Sequence, residues 1–236
     1  CTGRYTKRNR LTPKVMDEMI EIQPPMNGLV TANARPEYGD QYRKIAREKS
    51  QTMELSKIEK CFDPPQEGRR EIVILGSAGM RIVTAGDILC YAGMSAGMHA
   101  TMKNDYNITV LRGQSVSELI LSPDPIGYAG IYSPDVVMAL SDEGVSRRIK
   151  LFDHLTEDTF VLAEKHVNLP DTRASVTRVD FREYKVTRND WALASLGLIA
   201  KQNRCISYDM LSFAVKQRFN KSVRDKAFET LNKVTA

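Results

Sequence analysis

No Cys-x-x-Cys pair, no Gly-x-Gly-x-x-Gly, no Walker loop and no thiamine-type Gly-Asp-Gly motif occurs in the 236 residues. Each absence removes a class of chemistry. Cys1, Cys61, Cys90 and Cys205 lie too far apart for the usual zinc or iron–sulfur ligand spacings, and four scattered cysteines in a chain of this size read as plain thiols. Histidine is scarce: His99, His154 and His166 share no metal-ligand spacing. No apolar run approaches the roughly 18 residues that would suggest a membrane span, and no signal peptide opens the chain, so it reads as soluble and cytoplasmic. The first residues are Cys1-Thr2-Gly3-Arg4 in place of Met, which we read as a processed or internal start.

Charge is present but uneven. Residues 1–70 carry 14 basic and 10 acidic side chains, against 20 and 19 in the remainder. The net charge of +5 therefore belongs mostly to the front segment, which argues against a nucleic-acid face on the main domain. The basic cluster "RYTKRNR" reads as a solvated tail or a contact to an acidic partner, with an RNA-binding arm as the competing reading.

The front third has the texture of an arm. Thr12-Pro13 is a helix start, with Thr as N-cap and Pro at the first helical position. "GLVTA" suggests a short strand, and a second, charge-dense helix follows Pro36. "CFDPPQEGRR" reads as a linker. At Glu71 the pattern changes. "EIVIL" is an unbroken apolar run, the signature of a central strand of a parallel sheet, and "GSAGM" then turns the chain into a helix over about 80–94. "NITVL" and "SVSELILS" are strands joined across Arg112-Gly113-Gln114. "DVVMALS" is a further buried strand, with Ser141 and Asp142 capping a helix toward Phe152. "TFVLA" and "RASVTRVDF" are strand candidates, and from Asn189 three helices fill the rest, Ser207 capping the middle one. Met94, Met98 and Met102 repeat every four residues and read as helix packing. Strand, glycine turn and helix in this order predict an α/β fold, a Rossmann- or flavodoxin-like open sheet with flanking helices, preceded by a helical arm.

Two features carry chemistry. A glycine turn between a buried strand and a helix is a ready anion site, so Gly76, Ser77, Ala78, Gly79 and Met80 suit a phosphate or carboxylate; a tight turn with no ligand is the other reading. The dinucleotide fingerprint is incomplete there, and the acidic residue expected about 20 positions on is missing, which argues against NAD. Arg112, beside Gly113, is either an exposed hairpin arginine or a planar donor fork that clamps an anionic group. No set of residues reads as catalytic.

Taken together, "EIVILGSAGM", "YNITVLRGQSVSELILSPDPI", "SPDVVMALS" and "NDWALASLGLIAKQ" resemble the gamma subunit or domain of 2-oxoacid:ferredoxin oxidoreductases over most of 71–236. The family's Gly-x-Gly-Gly-Gln-Gly turn is here Gly76-Ser77-Ala78-Gly79-Met80-Arg81, and its Arg-Gly-Gly-x-Ser element is Arg112-Gly113-Gln114-Ser115. "CTGRYTKRNR" separately resembles the tail of the family's beta subunits, so the expected organisation is a beta-tail-like arm and linker over 1–70 and a gamma-type domain over 71–236. The resemblance implies a subunit of an enzyme that decarboxylates a 2-oxoacid with coenzyme A, 2-oxoglutarate being one candidate and the choice of acid left open, sending electrons through iron–sulfur clusters to ferredoxin. It implies thiamine diphosphate and Mg on alpha and beta partner subunits, with this chain packing on that core, helping to enclose coenzyme A through Gly76–Met80, Arg112 and Gly113, and holding none of the cofactors wholly by itself. The competing class is a stand-alone α/β binding module with a basic arm for a nucleic-acid or regulatory partner; on the family reading neither nucleic acid nor membrane is a partner.

Overall fold

The computed structural model describes residues 58–106 and 112–235. The helices expected after Pro13 and Pro36, the "GLVTA" strand and the "NITVL" strand lie outside the described residues.

In chain order the described elements are β1 (Arg70–Ser77), α1 (Ile82–Ser95), β2 (His99–Tyr106), β3 (Gln114–Ser122), β4 (Val136–Ala139), α2 (Asp142–Arg147), β5 (Phe160–Glu164), β6 (Ser175–Val179), α3 (Trp191–Lys201), α4 (Tyr208–Arg218) and α5 (Lys221–Thr235). Short 3₁₀ turns at Ile149–His154 and Arg188–Asp190 complete the set. The six strands form one sheet in the order β2-β3-β1-β4-β5-β6.

β1 lies inside the sheet because both its faces are covered. Ile72 and Ile74 pack into the layer built by α1, α3, α4 and α5. Val73 and Leu75 point the other way, into a smaller cluster with Val145 and Phe152. All four β1 side chains are at most 1% exposed, which explains an unbroken apolar run in place of alternation. Full burial of each contributes about 1.5–3 kcal/mol.

The neighbours of β1 differ from the expectation of a parallel sheet. β4 runs parallel to it, with Ile72 opposite Val136, but β3 runs antiparallel, with Gly76 opposite Ser115. The reason is the β2–β3 hairpin, which pairs Tyr106 with Ser115 and sends β3 back alongside β1.

β2 itself falls where helix packing was expected for Met94, Met98 and Met102. α1 stops at Ser95, so only Met94 is helical; Met98 is buried in the connection and Met102 is on the strand. The sulfur of Met102 nevertheless packs against α1, since a methyl added at Gly86 would fall 2.5 Å from it.

Part of the expected linker is also packed. The amides of Cys61 and Phe62 both donate to the Ser95 carbonyl, at 2.8 and 3.1 Å, and the Phe62 ring meets Phe213 edge-on at 5.9 Å.

The caps form as expected. Ser141 Oγ accepts from the Gly144 amide at 3.2 Å at the start of α2, and Ser207 Oγ accepts from the Met210 amide at 3.3 Å at the start of α4.

Candidate functional site at the carboxyl edge of the sheet

β1, β4, β5 and β6 are parallel, so their carboxyl ends share one edge. After β1 the chain crosses toward β2 and β3 on one side; β4 lies on the other. The crevice between β1 and β4 is therefore the point where the strand order reverses, the usual place for a ligand in an open α/β sheet.

Gly76 and Ser77 end β1 at this edge, and Ala78–Met80 make the turn into α1. Arg112 and Gly113 come to the same place. Ser77 lies opposite Gln114 across the β1–β3 ladder, and the Ala78 amide donates to the Gly113 carbonyl at 2.9 Å. Gly113 takes φ 91°, the left-handed region that favours glycine. The fold thus joins the two segments singled out in the sequence.

The turn spends much of its donor capacity on itself. The Ser77 amide donates to Met80 Sδ at 3.2 Å, the Ala78 amide to Gly113, and the Met80 amide to the Ser77 carbonyl at 3.2 Å. The Met80 side chain is 1% exposed and belongs to the core. Among the described residues, no acceptor takes the amide protons of Gly79 or Arg81. Arg112 is exposed and its guanidinium makes no hydrogen bond or ion pair among the described residues. An anion approaching here meets Gly79, Arg81 and Arg112 before the other members of the set.

The Ser77 hydroxyl donates to Glu143 on α2, and Arg188 Nη2 donates to the same hydroxyl at 3.3 Å. Arg188 lies 4.0 Å from the Glu143 carboxylate. Two residues on, Asp190 pairs with Arg81 at 2.6 Å and accepts from the Thr187 hydroxyl at 2.8 Å. These contacts fix the segment before α3 beside the start of α1.

Sequence reasoning missed a cleft of about 330 Å³ at this edge, lined by Leu140, Ser141, Glu143, Glu164, Arg188 and Trp191 among others. Glu164 ends β5 and is only 3% exposed. Its Oε2 accepts from the His166 amide at 2.8 Å, while its Oε1 has no hydrogen-bond partner. The adjacent Lys165 is not available to it. Lys165 is pushed above the ordinary lysine range by its hydrogen bond to Asp180, with Glu183 adding to the effect. A carboxylate closing the buried run "TFVLA" was the available signal.

The described cysteines offer no ligand set. Burial pushes the thiols of Cys90 and Cys205 up to about 12. Among the described residues, no group of three or more His, Cys, Asp or Glu side chains is placed to hold a metal ion. No described helix is long and apolar enough to cross a membrane.

Comparison with known proteins adds the following. The family model for pyruvate ferredoxin/flavodoxin oxidoreductase matches residues 71–233. A 2-oxoglutarate synthase subunit KorC of Methanocaldococcus jannaschii is 25% identical over 173 residues, covering 67% of this chain and 88% of the relative. The KorC subunit of Methanothermobacter marburgensis is 31% identical over 78 residues, 33% of this chain and 42% of the relative.

Among solved structures, the gamma subunit of a keto/oxoacid ferredoxin oxidoreductase from Geobacter sulfurreducens superposes with a TM-score of 0.60 at 21% identity, over 71% of this chain and 95% of that one. The 2-oxoglutarate:ferredoxin oxidoreductase of Magnetococcus marinus, with 2-oxoglutarate, coenzyme A and succinyl-CoA bound, also gives 0.60, at 16% identity, over 72% of this chain and 31% of that one. At these identities the structures establish the shared α/β fold and nothing finer.

Proposed function

The chain belongs to the pyruvate ferredoxin/flavodoxin oxidoreductase family, and from that premise we propose that it is the gamma-type subunit of an enzyme that acts on 2-oxoglutarate. It is a subunit of a 2-oxoacid:ferredoxin oxidoreductase. The observation that carries the gamma assignment and the substrate is the KorC match, which spans 88% of that relative. The alternative, a stand-alone module with a basic arm, finds no support in these relatives.

The reaction implied is oxidative decarboxylation of the 2-oxoacid, with transfer of the acyl group to coenzyme A and of two electrons to ferredoxin. Thiamine diphosphate with Mg, and iron–sulfur clusters, supply the carbanion and electron chemistry when bound. Neither fits the described residues, which bring no thiolate set and no carboxylate cluster together. On this reading those groups sit on the alpha and beta partners, and the chain packs on that core in the cytoplasm. Residues 1–70 are then a beta-tail-like arm and linker, and 71–236 the gamma-type domain.

Coenzyme A is the one cofactor the described residues suit in part. Its phosphates would meet Arg112 and the amides of Gly79 and Arg81, at the positive end of α1. Gly76, Ser77 and Gly113 would shape the turn, and Met80 would brace it from inside. The chain's contribution is positional: it holds an anionic group at the sheet edge and transfers no proton.

Purification of the tagged chain from its native host tests this. Co-elution with partners carrying thiamine diphosphate and a brown iron–sulfur absorbance is expected. A colourless, solitary chain overturns the proposal.

A further inference from the structure

β6 closes the sheet at one end, with β5 as its one neighbour among the described strands. The register fixes which of its backbone groups are used. The Ser175 amide donates to the Thr159 carbonyl at 3.0 Å, and the Val179 carbonyl accepts from the Lys165 amide at 2.9 Å. Bonded residues alternate along such a ladder, so Ser175, Thr177 and Val179 turn their amides and carbonyls to β5. The amides and carbonyls of Val176 and Arg178 point outward, where no described strand meets them.

The two edges of the sheet differ in how they are defended. β2, at the opposite end, carries Lys103 and Asp105, which engage Glu118, Arg147 and Arg148. β6 carries one charge, Arg178, and its guanidinium folds back onto the carbonyls of Lys165 and Val167 at 3.0 and 2.9 Å. No proline interrupts the strand, and the Val176 side chain is 40% exposed. An open edge of this kind is a template for another strand.

This edge is complementary to itself. Two copies related by a twofold axis at Thr177 pair antiparallel, with Val176 of each opposite Arg178 of the other. Every outward amide and carbonyl of Val176 and Arg178 is then bonded. Thr177 meets its own copy in a non-hydrogen-bonded pair, a favourable contact for threonine, and the stem of Arg178 packs on Val176. Charge does not oppose the pairing. Asp171 and Arg173 precede the strand and balance. Asp180, Arg182 and Glu183 follow it, with Lys165 bound to both acidic groups at 3.2 and 3.6 Å. Both ends are therefore neutral, and the antiparallel arrangement sets the end that carries Arg173 against the end that carries Asp180.

We propose that β6 is a dimerisation edge, joining two copies of this chain by antiparallel strand addition. Two five-residue strands alone fall below the roughly 1,200 Å² of a standard interface, so the contact is weak by itself. It uses none of Gly76–Met80, Arg112 or Gly113 and does not rest on the choice of 2-oxoacid.

Disulfide capture tests it in the full chain as purified from its native host. Across a non-hydrogen-bonded pair the two Thr177 Cα atoms stand about 4.5 Å apart, within the roughly 4.4–6.8 Å that a disulfide spans. Thr177→Cys is oxidised with diamide and run on a denaturing gel without reductant. Wild type controls for the native cysteines, and Lys103→Cys for the opposite edge. A band of linked dimer severalfold above both controls is expected.

Val176→Lys, added to Thr177→Cys, places an ammonium opposite Arg178 of the second copy, and the band is expected to fall to the level of the controls. Both positions are exposed, so the fold is kept. The proposal is overturned if Thr177→Cys gives no more dimer than Lys103→Cys. It is equally overturned if Val176→Lys leaves the band unchanged, which assigns the capture to random collision. Neither result bears on the subunit assignment, which is read from co-eluting partners and iron–sulfur absorbance.

Discussion

The Ala78 amide donates to the Gly113 carbonyl at 2.9 Å, tying the turn that opens α1 to the hairpin that carries Arg112. That bond depends on Gly113 keeping φ 91°. Gly113→Ala forces an L side chain into the left-handed region, at a cost of about 1–2 kcal/mol. Urea denaturation is expected to show a lower midpoint with an unchanged slope.

Arg112→Ala separates the shape of this loop from its charge. The side chain is exposed and makes no bond among the described residues, so stability is expected to stay within about 0.5 kcal/mol of wild type. In the purified complex, the apparent KM for coenzyme A is expected to rise severalfold while kcat holds. An unchanged KM removes Arg112 from the proposed coenzyme A contact.

α2 packs hard against the end of β1. A methyl added at Gly144 would lie 2.4 Å from the Gly76 nitrogen and 2.5 Å from the Leu75 carbonyl carbon. These are backbone atoms with little room to yield, so Gly144→Ala is expected to destabilise by about 1–3 kcal/mol. Gly127→Ala, where an added methyl meets nothing within 4 Å, is the matched control and leaves the denaturation midpoint nearly in place.

Asp105 on β2 accepts from Arg147 Nε at 2.8 Å and from Arg148 Nη1 at 3.0 Å. The hydrogen bond from Arg147 is the largest cause of a carboxyl pKa below its ordinary 3.8, desolvation opposes it, and Arg148 adds to the lowering. Folding therefore favours the ionised form. The stabilisation is complete above the unfolded pKa and is lost as pH falls through the lower folded value. Asp105→Asn is expected to flatten stability against pH below about pH 4 and to shift it uniformly above. A stability curve that keeps the same acid limb in the variant contradicts this.

The thiols sort by burial. Cys61 is exposed, while the Cys90 and Cys205 thiols are pushed up to about 12, chiefly by burial, with Asp87 and Asp135 adding respectively. In Cys1→Ser at pH 8, a thiol reagent is expected to titrate Cys61 fast, the half-buried Cys90 slowly and the buried Cys205 only on unfolding.

Most of the sheet was legible because strand burial leaves a local signature. "EIVIL", "SVSELILS", "DVVMALS" and "TFVLA" are runs whose apolar content no other element explains, and Ser141 and Ser207 mark their helices through cap chemistry. β2 was not legible. His99–Tyr106 is a partly exposed edge strand rich in polar residues, and its Met102 fell by chance at helical spacing from Met94 and Met98.

The direction of β3 was equally hidden, since no local pattern distinguishes a parallel from an antiparallel neighbour. At the site, the glycine turn and Arg112-Gly113 could be found one by one, but their meeting depends on the β1–β3 register. Met80 shows the limit of reading a turn as an anion cradle: its sulfur takes the Ser77 amide, which sequence alone would leave for a ligand. The Glu164 cleft draws on residues after β4, after β5 and before α3, so no motif spans it.

Activity of the complex purified through this chain tests the proposal that it serves a 2-oxoglutarate:ferredoxin oxidoreductase. Reduction of a viologen dye that requires both 2-oxoglutarate and coenzyme A, with succinyl-CoA as product, is the predicted result. No reduction with any 2-oxoacid, from a preparation that retains its iron–sulfur absorbance, would contradict it.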